Sequence, residues 1–294
     1  MKISNLVTWL ASLIIILALV ATSMGLFWQD KGDPFSFTTL RGDTVSIAGQ
    51  GLYRYDTTLM AVGFKTGDAV TLILGIPALI FSLLHYRRSS IRSGLLLAGT
   101  LAYFLYNYAS IAFGAAYNQL FLIYVALMSA SLFGLILTLM SFDLAMLPAH
   151  FSPHFPRRNI GIYSIVSGVV LLLIWPGLSI IPALFEGKAP PEVWSYTTVI
   201  TYAIDMGIVA PALIVAGIML LHRNPLGYLL TAMLLVFTVI LGTNLLTAGT
   251  IQMLAGLIDI QQFIGFVASF AILTLYAIWF TLALFRNLSD GISL

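Results

Sequence analysis

Asp205 is the residue whose setting most demands a chemical explanation. It stands eight residues beyond Thr197 in a run that is otherwise apolar. At ~1.5 Å of rise per residue it lies ~12 Å below the start of that run. In a hydrocarbon layer ~30 Å thick this is near mid-depth. A carboxylate there costs ~2.5–3.5 kcal/mol on insertion scales, so it requires a partner, water or a proton. Such a group serves as a proton site, as the anchor of a cationic or hydroxylated ligand, or as a strut that ties helices by hydrogen bonds.

Other polar groups gather toward the same end of their segments. Asn107 and Asn244 are amides within apolar runs, and Tyr103, Tyr106 and Tyr108 surround Asn107. Asp68 and Asp259 sit near the boundary of theirs. The candidate ligand-binding set is therefore Asp205, Asn107, Asn244, Tyr106, Asp68 and Asp259. The stretches 76–84, 209–221 and 270–285 carry only scattered hydroxyls, which makes the polar chemistry one-sided.

The remaining reactive residue types mainly exclude chemistries. His85, His150, His154 and His222 fall at segment ends or in a connecting loop, which argues against bis-histidine haem ligation within a bundle. Pro153 and Pro156 break up His150 and His154 as a helical metal pair, and the loop reads as solvated. With no cysteine, thiolate-bound metal, disulfides and thiol catalysis are excluded. Arg157-Arg158-Asn159 before Gly161 reads as a helix start, not a phosphate cradle. Haem, nucleotide and cysteine-ligated metal thus have no foothold. The net charge of +2 is spread over loops and offers nothing to nucleic acid.

The elements that hold these residues follow from composition. The 294 residues are 60% hydrophobic and 8% charged, with a mean hydropathy of +1.01. Soluble domains average about 45–50% apolar and about 25% charged, so the partner of this surface is a lipid bilayer. Apolar runs long enough to span it cover 6–28, 68–85, 91–114, 119–142, 161–185, 197–221, 226–250 and 262–285. The fold class is an all-α polytopic integral membrane protein with about eight transmembrane helices, in one domain. Lys2, an apolar core and Ala21-Thr22-Ser23 give the first run a signal-peptide look, but its continuation through Trp28 favours a retained span.

Residues 29–67 form the one sizeable extramembrane segment. Its aromatic and β-branched stretches, broken by Arg41-Gly42-Asp43 and Gln50-Gly51, predict an extracytoplasmic β-meander over the bundle mouth. The Arg-Gly-Asp triplet reads as a turn. Lys2, Arg87, Arg88, Arg92, Arg157, Arg158, Arg223 and Arg286 lie on one side, against Lys31, Arg41, Arg54, Lys65 and Lys188 on the other. By the positive-inside rule both termini are cytoplasmic and the membrane is expected to be the plasma membrane.

Asp68, His85 and Asn107 are spaced as Asp205, His222 and Asn244 are, each pair offset by 137 positions. Leu83-Leu84-His85 repeats as Leu220-Leu221-His222. The spacing suggests two parallel four-helix repeats, 1–142 and 143–294, an arrangement found in transporters. The expected function is binding or transport of a small or lipid-like molecule in an outward-facing polar pocket. Alternatives are an enzyme acting on a lipid at the outer leaflet, with Asp56, Asp68, Asp205 and Asp259 to supply an acid and a base, and a non-catalytic assembly or sensory subunit with a membrane-protein partner.

Overall fold

The computed structural model describes residues 2–291, apart from the side chain at 266. Among these, eight helices are long and apolar enough to cross a membrane. They are α1 (Asn5–Phe27), α2 (Thr58–Tyr86), α3 (Ile91–Gly114), α4 (Phe121–Met140), α5 (Arg157–Phe185), α6 (Ile200–Leu221), α7 (Pro225–Leu254) and α8 (Ile260–Arg286). Side-chain caps set several of their starts. Ser4, Ser90, Asn224 and Asp259 each accept a hydrogen bond from an amide two or three residues on, satisfying donors that have no partner within the helix.

Thr57 caps α2 in the same way, accepting from the Met60 amide. The helix therefore begins ten residues before the expected position 68, and 58–67 is not loop. Gly63, Lys65 and Gly67 depress the hydropathy of this turn-and-a-half without breaking the helix. The absence of side chains at Gly63 and Gly67 lets α7 approach. A Cβ built on Gly67 would stand 3.5 Å from the Asn244 amide nitrogen.

Between α1 and α2 the chain forms a two-stranded antiparallel hairpin, β1 (Phe35–Thr38) and β2 (Thr44–Ile47), with Phe35 opposite Ile47 and Thr38 opposite Thr44. Gly42, at φ +92°, makes its turn. The third strand of the expected meander does not form. Residues 52–55 are turn, held by Gly51 N–H donating to Asp30 and by an Arg54–Asp30 ion pair. Leu52 and Tyr53 are consecutive and both buried, which a strand with alternating faces cannot achieve.

Three helices contain one wide turn each, and the cause is the same. Ile76, Ile181 and Ala210 donate to carbonyls five residues back, those of Thr71, Pro176 and Asp205. Each donor directly precedes a proline: Pro77, Pro182 and Pro211. A proline ring has no N–H and crowds the carbonyl four residues back, and the ladder yields by taking an i→i−5 bond just before it. Such π-bulges collect at functional sites.

At the centre α3 packs on α7. The approach is close enough that a Cβ on Gly99 would lie 2.7 Å from the Met233 carbonyl oxygen. Around α3, α1 packs on α2 and α4, and α3 on α2 and α4. Around α7, α6 packs on α5 and α7, and α8 on α7. Cross-contacts join α2 to α7 and α3 to the first turn of α6. The α5–α6 seam closes on facing glycines, where a Cβ on Gly217 would meet the Gly161 carbonyl oxygen at 2.6 Å.

Lys2 N–H donates to the Ser141 carbonyl, and Ile91 N–H donates to Asp290. The two ends of the described chain thus share one face with the α2–α3 and α4–α5 turns, opposite the hairpin. His150, expected in a solvated loop, is buried. Its ring and carbonyl bond Ser289, because the tail after α8 pairs with Phe151 through Leu288. His154 is exposed.

Candidate functional site

A cavity of about 620 Å³ opens within the hairpin-side half of the bundle, walled by α2, α3, α5, α6, α7 and α8. Its lining runs down α6 from Ile200 to Leu213, a depth of ~20 Å at 1.5 Å per residue. It stops at Phe237 in α7 and Thr274 in α8, and beyond Leu213 the Gly161–Gly217 seam closes the floor. The walls are mostly apolar, contributed by residues such as Leu171, Ile174, Leu241 and Leu245.

Asp205 is the charged group set deepest in this lining, and it is buried. One carboxylate oxygen accepts from the Tyr106 hydroxyl at 2.8 Å, the other from the Trp175 indole N–H at 2.9 Å. The donors come from α3 and α5, so the carboxylate joins three helices. It also opens the wide turn of α6, while Trp175 immediately precedes that of α5 and Ser179 lies inside it. Trp175 stacks on Tyr202 at 4.3 Å between centroids and lies 6.0 Å from Phe270. Tyr106 meets Phe237 edge-on at 5.7 Å.

Asn107 and Asn244 converge on Gly67 from α3 and α7. The oxygen of Asn107 and both polar atoms of Asn244 lie within 4 Å of a Cβ built there. Both residues line the cavity. Asn107 is 8% exposed, and its Nδ2 has no hydrogen-bond partner among the described residues. A buried donor left unpaired costs about 1–3 kcal/mol, which a bound acceptor or water would relieve.

The two other aspartates of the candidate set lie elsewhere. Asp68 is buried among α1, α2 and the 48–57 turn, where it accepts from the Tyr53 hydroxyl at 2.7 Å. Gly25 makes room for it, since a Cβ there would collide with its carboxylate oxygen. Burial and the adjacent Asp68 carboxylate push the Tyr53 phenol well above its ordinary value, so it remains a donor. Asp259 is exposed at the N-cap of α8, in a capping box with Gln262. Asp205, Asn107, Asn244 and Tyr106 are brought together; Asp68 and Asp259 are not part of that group, and neither lines the cavity.

The mouth is covered by the 191–199 segment rather than by the hairpin. Glu192, Trp194 and Tyr196 line the cavity, and Glu192 accepts from Ser179. Trp194 has φ +41°, a left-handed backbone that costs a side-chain-bearing residue about 1–3 kcal/mol. Arg41 in the hairpin turn holds it, donating to the Trp194 and Tyr196 carbonyls at 3.1 and 2.8 Å. The hairpin is thus a strap over the covering segment. Phe35 and Phe37 line a separate recess of about 520 Å³ beside it.

Asp56, offered by the sequence only as one of the aspartates for acid–base chemistry, ties this cover together. It is fully buried, and one oxygen accepts from Ala116 N–H and from the Tyr196 hydroxyl, each at 2.8 Å. Its other oxygen has no partner among the described residues. Burial pushes its carboxyl up to about 6, against the opposing pull of those two hydrogen bonds. Trp175, Tyr202 and Glu192 were missed. Aromatics near helix ends read as the interfacial belt, and the signal that could have marked Trp175 was a proline seven residues on, which sets a wide turn directly after it.

No family model matches the chain, and no curated protein or solved structure is significantly similar to it. The reading of function rests on this geometry. Among the described residues no group of three metal-ligating side chains forms.

Proposed function

We propose that the chain is a plasma-membrane protein that binds a small amphipathic molecule in the hairpin-side cavity, with Asp205 holding the polar end. One observation carries this reading. A mostly apolar cavity of about 620 Å³ converges on a buried carboxylate and on an amide nitrogen with no partner. Ligand sites of ~300–1,000 Å³ combine apolar walls with a few fixed polar groups in this way. The hairpin face is the outer one and both termini are cytoplasmic, as the excess of eight basic residues against five supports. Entry is from the outer aqueous side or the outer leaflet.

The halves 1–142 and 143–294 are proposed repeats. The 137-residue offset supports this, as does the matched order of helix contacts around α3 and around α7. His85 and His222 also hydrogen-bond the carbonyls of Phe81 and Ile218, again 137 apart. Transport would require α5 and α6 to part at the Gly161–Gly217 seam. Binding requires no such motion and is the function the geometry supports best.

The test is binding of N-phenylnaphthylamine, a neutral fluorophore that brightens in apolar sites, to purified protein. Saturable binding is expected in the wild type and loss of it in Ala248→Trp, which fills the cavity from α7. Equal signals from both proteins would refute the reading. Orientation is tested by labelling intact cells with an impermeant thiol reagent. Ser46→Cys in β2 should react and Ser89→Cys in the α2–α3 turn should not; the reverse pattern inverts the topology.

A further inference from the structure

Resting on that proposed site, the geometry points to its ligand class: we infer that the cavity takes an organic cation, an ammonium or related onium group on an apolar body. The first ground is charge. Asp205 and Glu192 line the cavity, and no lysine, arginine or histidine does. The ion pairs among the described residues are Arg54–Asp30 and Lys188–Glu186, so neither lining acid has a basic partner. Asp205 is met by two neutral donors, the Tyr106 hydroxyl and the Trp175 indole. These orient the carboxylate and leave its charge uncompensated. An anionic ligand would face two acids and no base.

The second ground is the wall around that carboxylate. Trp175, Tyr202, Phe270, Tyr106 and Phe237 all line the cavity, in two groups that contact within themselves, Trp175 with Tyr202 and Phe270, and Tyr106 with Phe237. Aromatic faces attract a cation through their quadrupoles, most strongly when the site is desolvated, and tryptophan does so best. A carboxylate set among aromatic rings serves an onium group on both counts. A neutral hydroxylated ligand would make a charge-assisted hydrogen bond to the acceptor but would leave the net charge uncompensated and gain nothing from the rings' electrostatics. The third ground is the unpaired Asn107 Nδ2 on the α3 wall, which offers a donor to an acceptor elsewhere on the same ligand.

The experiment compares tetraphenylphosphonium with tetraphenylborate, ions equal in shape and opposite in charge, on purified protein. Assayed separately against bound N-phenylnaphthylamine, the onium ion is expected to displace the probe saturably and the borate is expected not to. Asp205→Asn keeps the size and most hydrogen bonding of the carboxylate. It should weaken onium binding by about 30-fold or more, as losing one partner of a desolvated charge pair does. Trp175→Leu should also weaken the onium ion, and Trp175→Phe should restore part of the loss. If borate competes as well as the onium ion, or if Asp205→Asn and Trp175→Leu both bind the onium ion as the wild type does, the cation inference is overturned. In that case retained binding of N-phenylnaphthylamine leaves the cavity as a neutral-ligand site. Loss of saturable binding by every probe, the neutral one included, would overturn the proposed function with it.

Discussion

Asp56 offers the sharpest test of how the cavity cover is held. The residue is buried in the folded chain with its carboxyl pushed from 3.8 up to about 6. The folded form therefore binds the proton more tightly than the unfolded one, and acid favours folding. The stability from this group is fully present below about pH 4 and is lost as pH climbs through about 6. Each unit of difference is worth about 1.36 kcal/mol, so the buried charge costs about 3 kcal/mol at neutral pH. Asp56→Asn removes the charge and keeps the oxygen that accepts from Ala116 N–H and the Tyr196 hydroxyl. Burial also pushes the Tyr196 phenol above its ordinary value, so it stays a neutral donor throughout this range.

Thermal unfolding of wild type and Asp56→Asn from pH 4.5 to 7.5 would measure the effect, with the other acids cancelling in the difference. At roughly 2–4 °C per kcal/mol, full coupling to global unfolding gives roughly 6–12 °C, with the variant the more stable at pH 7.5. The two proteins should converge toward pH 4.5. Protection factors of the amides in 191–199, corrected for the intrinsic base-catalysed exchange rate, should fall with rising pH in the wild type alone. Parallel pH profiles, or a variant less stable at pH 7.5, would refute the claim that Asp56 is held in the cover at the cost of its charge.

Two further outcomes follow from packing and pairing. Tyr53→Phe removes the hydroxyl that Asp68 accepts from and should cost about 1–3 kcal/mol; adding Asp68→Leu should recover part of it in a double-mutant cycle of thermal stability. Gly99→Ala forces α3 off the Met233 carbonyl and should destabilise by about 1–3 kcal/mol, whereas Gly134→Ala, whose Cβ meets Leu101 at an ordinary 3.7 Å, should be silent. Equal stability of the two alanine variants would contradict the central α3–α7 contact.

The eight long apolar helices were legible because each is a run of ~20 apolar residues, the length that crossing a bilayer requires. Where the reading failed, a local signal competed with hydropathy. The early start of α2 was hidden by Gly63, Lys65 and Gly67, although Thr57 is a cap residue spelled in the chain. Asp259 was placed with the pocket, yet Asp259-Ile260-Gln261-Gln262 carries the spacing of a capping box, and the box forms. Asp205 stood out by the cost of its charge, and Tyr106 by its nearness to Asn107. Trp175 could not be paired with Asp205 from sequence, because hydropathy does not fix how α5 and α6 are rotated against each other.

Asp68 and Asp205 differ in what answers them. Under the proposed duplication they are equivalent carboxylates, yet one is answered by the chain and the other faces a cavity. The difference lies in the connections. Thirty residues separate Phe27 from Thr58, and fourteen separate Phe185 from Ile200. The longer connection has the length to form the hairpin and still send Tyr53 down to Asp68. The shorter one reaches only across the mouth, where Arg41 and Asp56 fasten it. A buried carboxylate needs donors, and the first half supplies a phenol from its own loop. Asp205 instead takes its donors from the walls, Trp175 of its own half and Tyr106 of the other, and the space that a loop side chain would fill is left open as the cavity.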